Sequence, residues 1–165
     1  MITCRPSIEP DYFTISLLMI RDGRIDDALD IRILLAQLGY SKLSEDDIRN
    51  KIIHYSSKEY KIFVVEVDGH VIGFISLHCY EAFHSTGKIG RITALCIHDK
   101  FQSKGYGKQL LVEAEKYFVQ SGCLKLEVTS NKRRTQAHNF YLSQGYLEDS
   151  RKFVKPLFTD LTSSV

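Results

Sequence analysis

No apolar run in this sequence is long enough to cross a membrane. Residues 15–20 form too short a stretch, and acidic Glu9 and Asp11 behind Arg5-Pro6 break the pattern of a secretory leader. Nor is one sign of charge in excess. Twenty-two Lys and Arg stand against 20 Asp and Glu, a net charge of +2, and the one basic block is Lys132-Arg133-Arg134. That balance argues against a nucleic-acid binder. The four cysteines (Cys4, Cys79, Cys96 and Cys123) show no C-x-x-C spacing, and three sit among apolar residues. Buried reduced thiols are therefore expected, with neither disulfides nor a metal site. Repeats and low-complexity tracts are absent too. Two of the three prolines fall in residues 1–12, so 1–14 reads as an N-terminal extension and 15–165 as one domain. Together these absences point to a soluble cytoplasmic protein without a metal or membrane partner. At 165 residues, 44% of them hydrophobic, it can bury a sizeable core.

The patterning that is present alternates between the two periodicities of regular structure. Residues 15–21 read as a strand. Residues 25–38 read as a helix whose Ala28, Ile31, Leu35 and Leu38 share a face. Ser44-Glu45-Asp46-Asp47 resembles a capping box opening a second helix, with Ile48, Ile52 and Ile53 inward. Residues 62–67 and 71–79, joined by Asp68-Gly69, give a hairpin signal, and 89–97 is the next strand. A helix with Leu110, Leu111, Ala114, Tyr117 and Phe118 on one face follows and ends near Gly122. Alternation at Leu124, Leu126 and Val128 gives a strand, 135–143 a short helix, and 146–154 a last strand. The order predicts a single α/β domain: a mixed, twisted sheet of about six or seven strands with helices on both faces.

Residues 90–111, GRITALCIHDKFQSKGYGKQLL, carry the first chemical signal. An apolar strand runs into Gln102-Ser103-Lys104-Gly105-Tyr106-Gly107 and then into an amphipathic helix. Two glycines permit a tight turn whose N–H groups face one concavity, and the helix adds its unpaired N-terminal N–H groups and the positive end of its dipole. Such a corner suits a phosphate or pyrophosphate. Lys104 and Lys108 would add charge, and Gln102 a neutral donor. Neither the G-x-G-x-x-G nor the G-x-x-x-x-G-K-[ST] spacing is present.

The second signal is Asn131, then Ala137, Phe140-Tyr141 and Gly145-Tyr146, placed after a strand. With Q-x-x-G-x-G at 102–107, this resembles the GNAT acetyltransferase superfamily: R/Q-x-x-G-x-G/A, then a strand, an Asn, and A-x-x-F-Y-x-x-x-G-F/Y. The resemblance spans about residues 17–154 and implies acetyl-CoA as co-substrate, with the two strands that flank its site splayed apart. It places the backbone of Leu95 at the acetyl carbonyl, as oxyanion donor, and the backbone of Leu95, Cys96 and Ile97 along the pantetheine arm. Gln102, Ser103, Lys104, Gly105, Tyr106, Gly107 and Lys108 would cradle the pyrophosphate. Tyr141 would face the thioester sulfur as general acid, or else only pack; Asn131 would bond the cofactor arm, or else cap the following helix.

Many relatives carry a glutamate on the strand before the glycine turn, where this chain reads Ile92-Thr93-Ala94-Leu95. The candidate bases are therefore Glu81, His84 and Glu127. Lys132-Arg133-Arg134 can attract a CoA phosphate or an anionic acceptor, or form a solvated turn. The resemblance implies an N-acetyltransferase in which a small-molecule primary amine attacks the thioester directly in a ternary complex. A protein or peptide acceptor and a non-catalytic acyl-CoA-binding module remain as alternatives, and a homodimer is left open.

Overall fold

The computed structural model describes residues 17–149, 152–155 and 157. The expected extension over 1–14, residues 15 and 16 of the first strand, and Cys4 lie outside these. Five strands, β1 (Leu18–Asp22), β2 (Tyr60–Val67), β3 (His70–Glu81), β4 (Lys88–Ile97) and β5 (Cys123–Val128), form one sheet in the order β1-β2-β3-β4-β5. The first three pairings are antiparallel; β4 and β5 run parallel. The hairpin between β2 and β3 turns at Asp68 (φ 50°) and Gly69 (φ 81°), the left-handed pair that a two-residue type I′ turn demands.

Helices cover both faces, each as its sequence pattern dictates. On one face lie α1 (Ala28–Gln37), entered through the 3₁₀ turn Ile25–Asp27, and α2 (Glu45–His54). The capping box opens α2: Ser44 Oγ accepts from Asp47 N at 3.1 Å, and Ser44 N donates to Asp47 Oδ2 at 2.8 Å. Ala28, Leu34, Ile48 and Ile52 meet Val64 and Phe74 of the sheet there. On the other face α3 (Tyr106–Gln120) buries Leu110, Leu111, Ala114 and Phe118 against Val65, Ile75 and Ile92. Phe140 and Tyr141 of α4 (Thr135–Ser143) join that second cluster. Neighbouring residues of β2 thus serve opposite cores, as the two-residue period of a strand requires.

The start of α1 is pinned to the sheet edge by charge. Arg21 of β1 donates to both oxygens of Asp27 at 2.8 Å and, through Nε, to Glu66 of β2 at 2.7 Å. Asp27 is buried. Burial alone would raise its carboxyl, but the hydrogen bonds from Arg21 and from the Arg24 amide outweigh it and hold it below the ordinary range.

The expected strand over 146–154 is not found among its described residues. Residues 146–149 and 152–155 join no ladder, and Leu147 and Phe153 are 87% and 90% exposed. A segment becomes a strand only when it pairs into a ladder, and the described residues here pair with none. The sheet accordingly has five strands among the described residues, close to the six or seven expected.

Candidate active site

The parallel ladder is shorter than β4. It runs from Lys88 opposite Cys123 to Ile92 opposite Val128, where β5 ends. Residues 93–97 continue as strand, and among the described residues 94–97 pair with β3 alone. Their other edge opens into a wedge of main-chain groups, the place where a ligand carbonyl or amide gains most by pairing. Leu95, Cys96 and Ile97 all stand on this stretch. The side chains of Leu95 and Ile97 pack toward α3. Cys96 is buried on the α1 side, and its Sγ donates to Leu34 O at 3.3 Å. Burial pushes the Cys96 thiol up to about 11, so it is no nucleophile at neutral pH.

A β-bulge sits at the foot of the wedge. Ser76 faces Ala94 and Leu77 faces Ile92, which leaves Thr93 as the extra residue. The Thr93 hydroxyl donates to Ser76 O at 3.1 Å and lies 2.7 Å from Ser76 Oγ and 3.4 Å from the Tyr55 hydroxyl. Just beyond β5, Ser130 Oγ is buried with no hydrogen-bond partner among the described residues. An orphaned hydroxyl beside an unpaired strand edge fits a site that a polar ligand completes.

The glycine turn lies at the upper end of β4. A 3₁₀ turn over Asp99–Phe101 leads to Ser103 (φ 60°) and to Gly105, which caps α3 with φ 85°. A Cβ built on Gly105 meets nothing within 4 Å, so the space above it is open. One on Gly107 would touch the Phe140 ring at 3.6 Å and Ile97 at 3.8 Å, ordinary contacts that the fold tolerates. The glycines are therefore not dictated by crowding. Gly105 answers to its backbone angle, and the open space leaves the first N–H groups of α3 accessible to an anion. Gln102 is turned inward, its amide nitrogen donating to Ile97 O at 3.1 Å and Asp99 Oδ1 at 2.9 Å, so its side-chain donors serve the turn itself. Lys104 Nζ stands 5.2 Å over the Phe101 ring; Lys104 and Lys108 are exposed, and Tyr106 is half-buried.

Tyr141 stands in α4 with its ring 5.3 Å from Phe140 and 5.4 Å from Tyr146. Its hydroxyl makes no hydrogen bond among the described residues. Burial pushes the phenol up to about 12, against the opposing pull of the Arg134 charge. Asn131 shapes the turn before α4: its Oδ1 accepts from Arg133 N at 3.0 Å and its main-chain O from Arg134 N at 2.9 Å. The Arg134 side chain reaches over to α1 and donates to Leu38 O at 2.5 Å.

The acidic candidates are arranged less favourably. Glu81 pairs with Lys88 in the register, seven residues from Leu95, which is about 23 Å along a strand. That is beyond the reach of one bridging water, so the structure does not bring Glu81 to the wedge. His84 is exposed in the loop after β3. Glu127 is nearer, opposite Arg91, but it accepts from Tyr80 and Arg91 at 2.6 Å each. Burial would raise its carboxyl; those hydrogen bonds prevail and hold it low, which makes it a weak base. Beside it, Tyr60 stacks on His78 at 4.3 Å and His78 on Tyr80 at 5.4 Å, along the sheet face next to the end of α2. A cleft of about 450 Å³ lined by Ile52, Tyr55, Tyr60 and Tyr117 opens at the start of β2, and its lining includes nothing from the glycine turn or α4.

Thr93 and Ser130 were not among the site residues read from the sequence. A bulge leaves no mark in a strand of ordinary composition, and a serine in a Thr-Ser-Asn turn looks like any loop residue.

The sequence model of the acetyltransferase (GNAT) family matches residues 28–146, a span that holds the wedge, the glycine turn and α4. The chain belongs to the GNAT acetyltransferase family. Within the GNAT family it is 37% identical over 90 residues to an aminoalkylphosphonate N-acetyltransferase of Salmonella typhimurium. That stretch is 54% of this chain and 58% of the relative, so the chain spans a little over half the length of that curated protein. Glucosamine-6-phosphate N-acetyltransferase from Arabidopsis thaliana has a similar structure (TM-score 0.75, 20% identity, 86% of this chain and 99% of that one). So does an aminoglycoside N-acetyltransferase solved in complex with CoA (TM-score 0.76, 18% identity, 86% and 95%). At these identities the two structures establish the shared GNAT fold.

Proposed function

We propose that the protein transfers the acetyl group of acetyl-CoA to the primary amine of a small molecule, by direct attack within a ternary complex. The observation that carries this reading is the edge of β4 beyond Ile92, unpaired to β5 among the described residues, with the open glycine turn following its end and the Tyr141 ring packed in the same cluster as Leu95 and Ile97. The family supplies the donor, and the small amines in the names of the aminoalkylphosphonate and aminoglycoside enzymes support a small acceptor.

In this reading the pyrophosphate lies on the main-chain N–H groups of 103–108, with Lys104 and Lys108 at the rim. The pantetheine arm runs along Leu95, Cys96 and Ile97 toward Ser130 and Asn131. The amine nitrogen forms a bond to the thioester carbon, whose oxygen becomes anionic against the Leu95 amide. Collapse breaks the C–S bond, and the electron pair leaves on sulfur. A phenol near 12 keeps its proton throughout the neutral range. An ordinary thiol titrates near 8.5, so full proton transfer from Tyr141 would be uphill by several pK units. Tyr141 therefore acts chiefly by donating a hydrogen bond to the departing sulfur. The amine's proton passes to water beside the Thr93 and Tyr55 hydroxyls, the bulge position at which no carboxylate is available.

Thiol release from acetyl-CoA, measured against a panel of small primary amines with mass spectrometry of the products, tests the reading. Amine-dependent release with one acetyl added per thiol is expected. Acetyl-CoA binding without turnover on any amine would make the protein an acyl-CoA-binding module instead.

A further inference from the structure

Arg134 occupies an unusual position for a cation. It stands at the N-cap of α4, on the α3 side of the sheet, yet its guanidinium reaches the carbonyl of Leu38 at the end of α1, on the other side. β5 has already ended at Val128, six residues before Arg134. Its charge acts both on Cys96, which faces α1, and on Tyr141, which faces α3.

The guanidinium is also uncompensated. Arg21 pairs with Asp27 and Glu66, Arg49 with Glu45, and Arg91 with Glu127. Arg134 is part-buried and ion-pairs with none of the described carboxylates; of its five donors, Leu38 O takes one. A half-desolvated cation with free, fork-shaped donors is a seat for a planar or tetrahedral oxyanion.

We propose that Arg134 binds an anionic group of the acceptor, so that the preferred substrate is a primary amine carrying a phosphonate, phosphate or carboxylate a few atoms from its nitrogen. This rests on the acetyltransferase reading. The donor's pyrophosphate belongs at the glycine turn, and the part of acetyl-CoA that approaches Tyr141, an acetylated thiol on an amide arm, is neutral; the ribose 3′-phosphate is the donor group that competes for Arg134, and the acetyl-CoA KM tells the two apart. The anion that meets Arg134 beside the reacting sulfur comes with the amine.

The test compares 2-aminoethylphosphonate with 2-aminoethanol, an uncharged amine of similar reach, in the wild type, Arg134→Gln and Arg134→Lys. The wild type should favour the phosphonate in kcat/KM by about tenfold or more. Arg134→Gln should lower kcat/KM for the phosphonate by at least about 30-fold, mostly through KM, and leave 2-aminoethanol and the KM for acetyl-CoA nearly unchanged. Arg134→Lys should recover part of the loss, since the charge remains and the fork does not. Equal losses for both amines would reduce Arg134 to a brace for α1, and a rise in the acetyl-CoA KM alone would assign it to the donor; either overturns the proposal. If neither amine is acetylated, calorimetry of 2-aminoethylphosphonate on the CoA-loaded protein separates the two readings. Binding that disappears in Arg134→Gln keeps the seat although the enzymatic reading fails, and absent binding overturns the seat as well.

Discussion

Ile92 faces Val128 in the last rung of the parallel ladder, and β4 runs on for residues 93–97 with no partner on that edge among the described residues. In the proposed reading, this mismatch in strand length opens the sheet to a ligand. The glycine turn follows its end, Tyr141 packs in the same cluster as Leu95 and Ile97, and Thr93 bulges at its foot.

Replacing Tyr141 by Phe removes the hydroxyl and keeps the ring against Phe140 and Tyr146. Turnover should fall by roughly 10- to 1,000-fold while acetyl-CoA affinity changes little, because the hydrogen bond is made only as sulfur leaves. Steady-state rates and calorimetry check both halves, and the melting temperature should move only slightly. Wild-type turnover would leave Tyr141 a packing residue.

Gly105 holds φ at 85° in open space. Gly105→Ala should cost about 1–2 kcal/mol of stability from the left-handed angle alone, since nothing collides with the added methyl. The methyl would stand in the space assigned to the pyrophosphate, so acetyl-CoA affinity should fall more than the stability loss accounts for. Denaturant titration and calorimetry on the folded variant separate the two effects.

The Arg21–Asp27 pair predicts the acid limb of stability. Asp27 titrates below its ordinary 3.8 when folded, so its contribution is complete above the unfolded value and is lost as pH falls through the lower folded one. Arg21→Met would strand the buried carboxylate and should destabilise the protein by about 3–5 kcal/mol at pH 7. Because protonation relieves a stranded carboxylate, that deficit should shrink as pH falls toward 4. A deficit independent of pH in urea titrations would show that packing, and not charge, is at stake.

Much of this was legible because the relevant signals are local. Ser44 and Asp47 announce the capping box, Asp68-Gly69 the hairpin, and the spacing of Leu110, Leu111, Ala114 and Phe118 the buried face of α3. The glycine turn and α4 were located for the same reason, by short contiguous motifs. What escaped depends on pairing between distant residues. Whether 146–154 forms a strand is decided by its pairing with another strand, not by its own composition. The distance of Glu81 from Leu95 follows from the β3–β4 register, and the Thr93 bulge from a one-residue offset within it. Gln102 resembles a ligand-facing donor in the motif, yet its amide turns to Ile97 O, which no linear pattern encodes.

The most direct measurement is a crystal structure of the protein with acetyl-CoA. The thioester carbonyl should accept a hydrogen bond from the Leu95 amide, with the pyrophosphate on the N–H groups of 103–108 and the sulfur within reach of the Tyr141 hydroxyl. Acetyl-CoA bound outside the gap between β4 and β5, or a thioester away from residues 93–97, would contradict the site described.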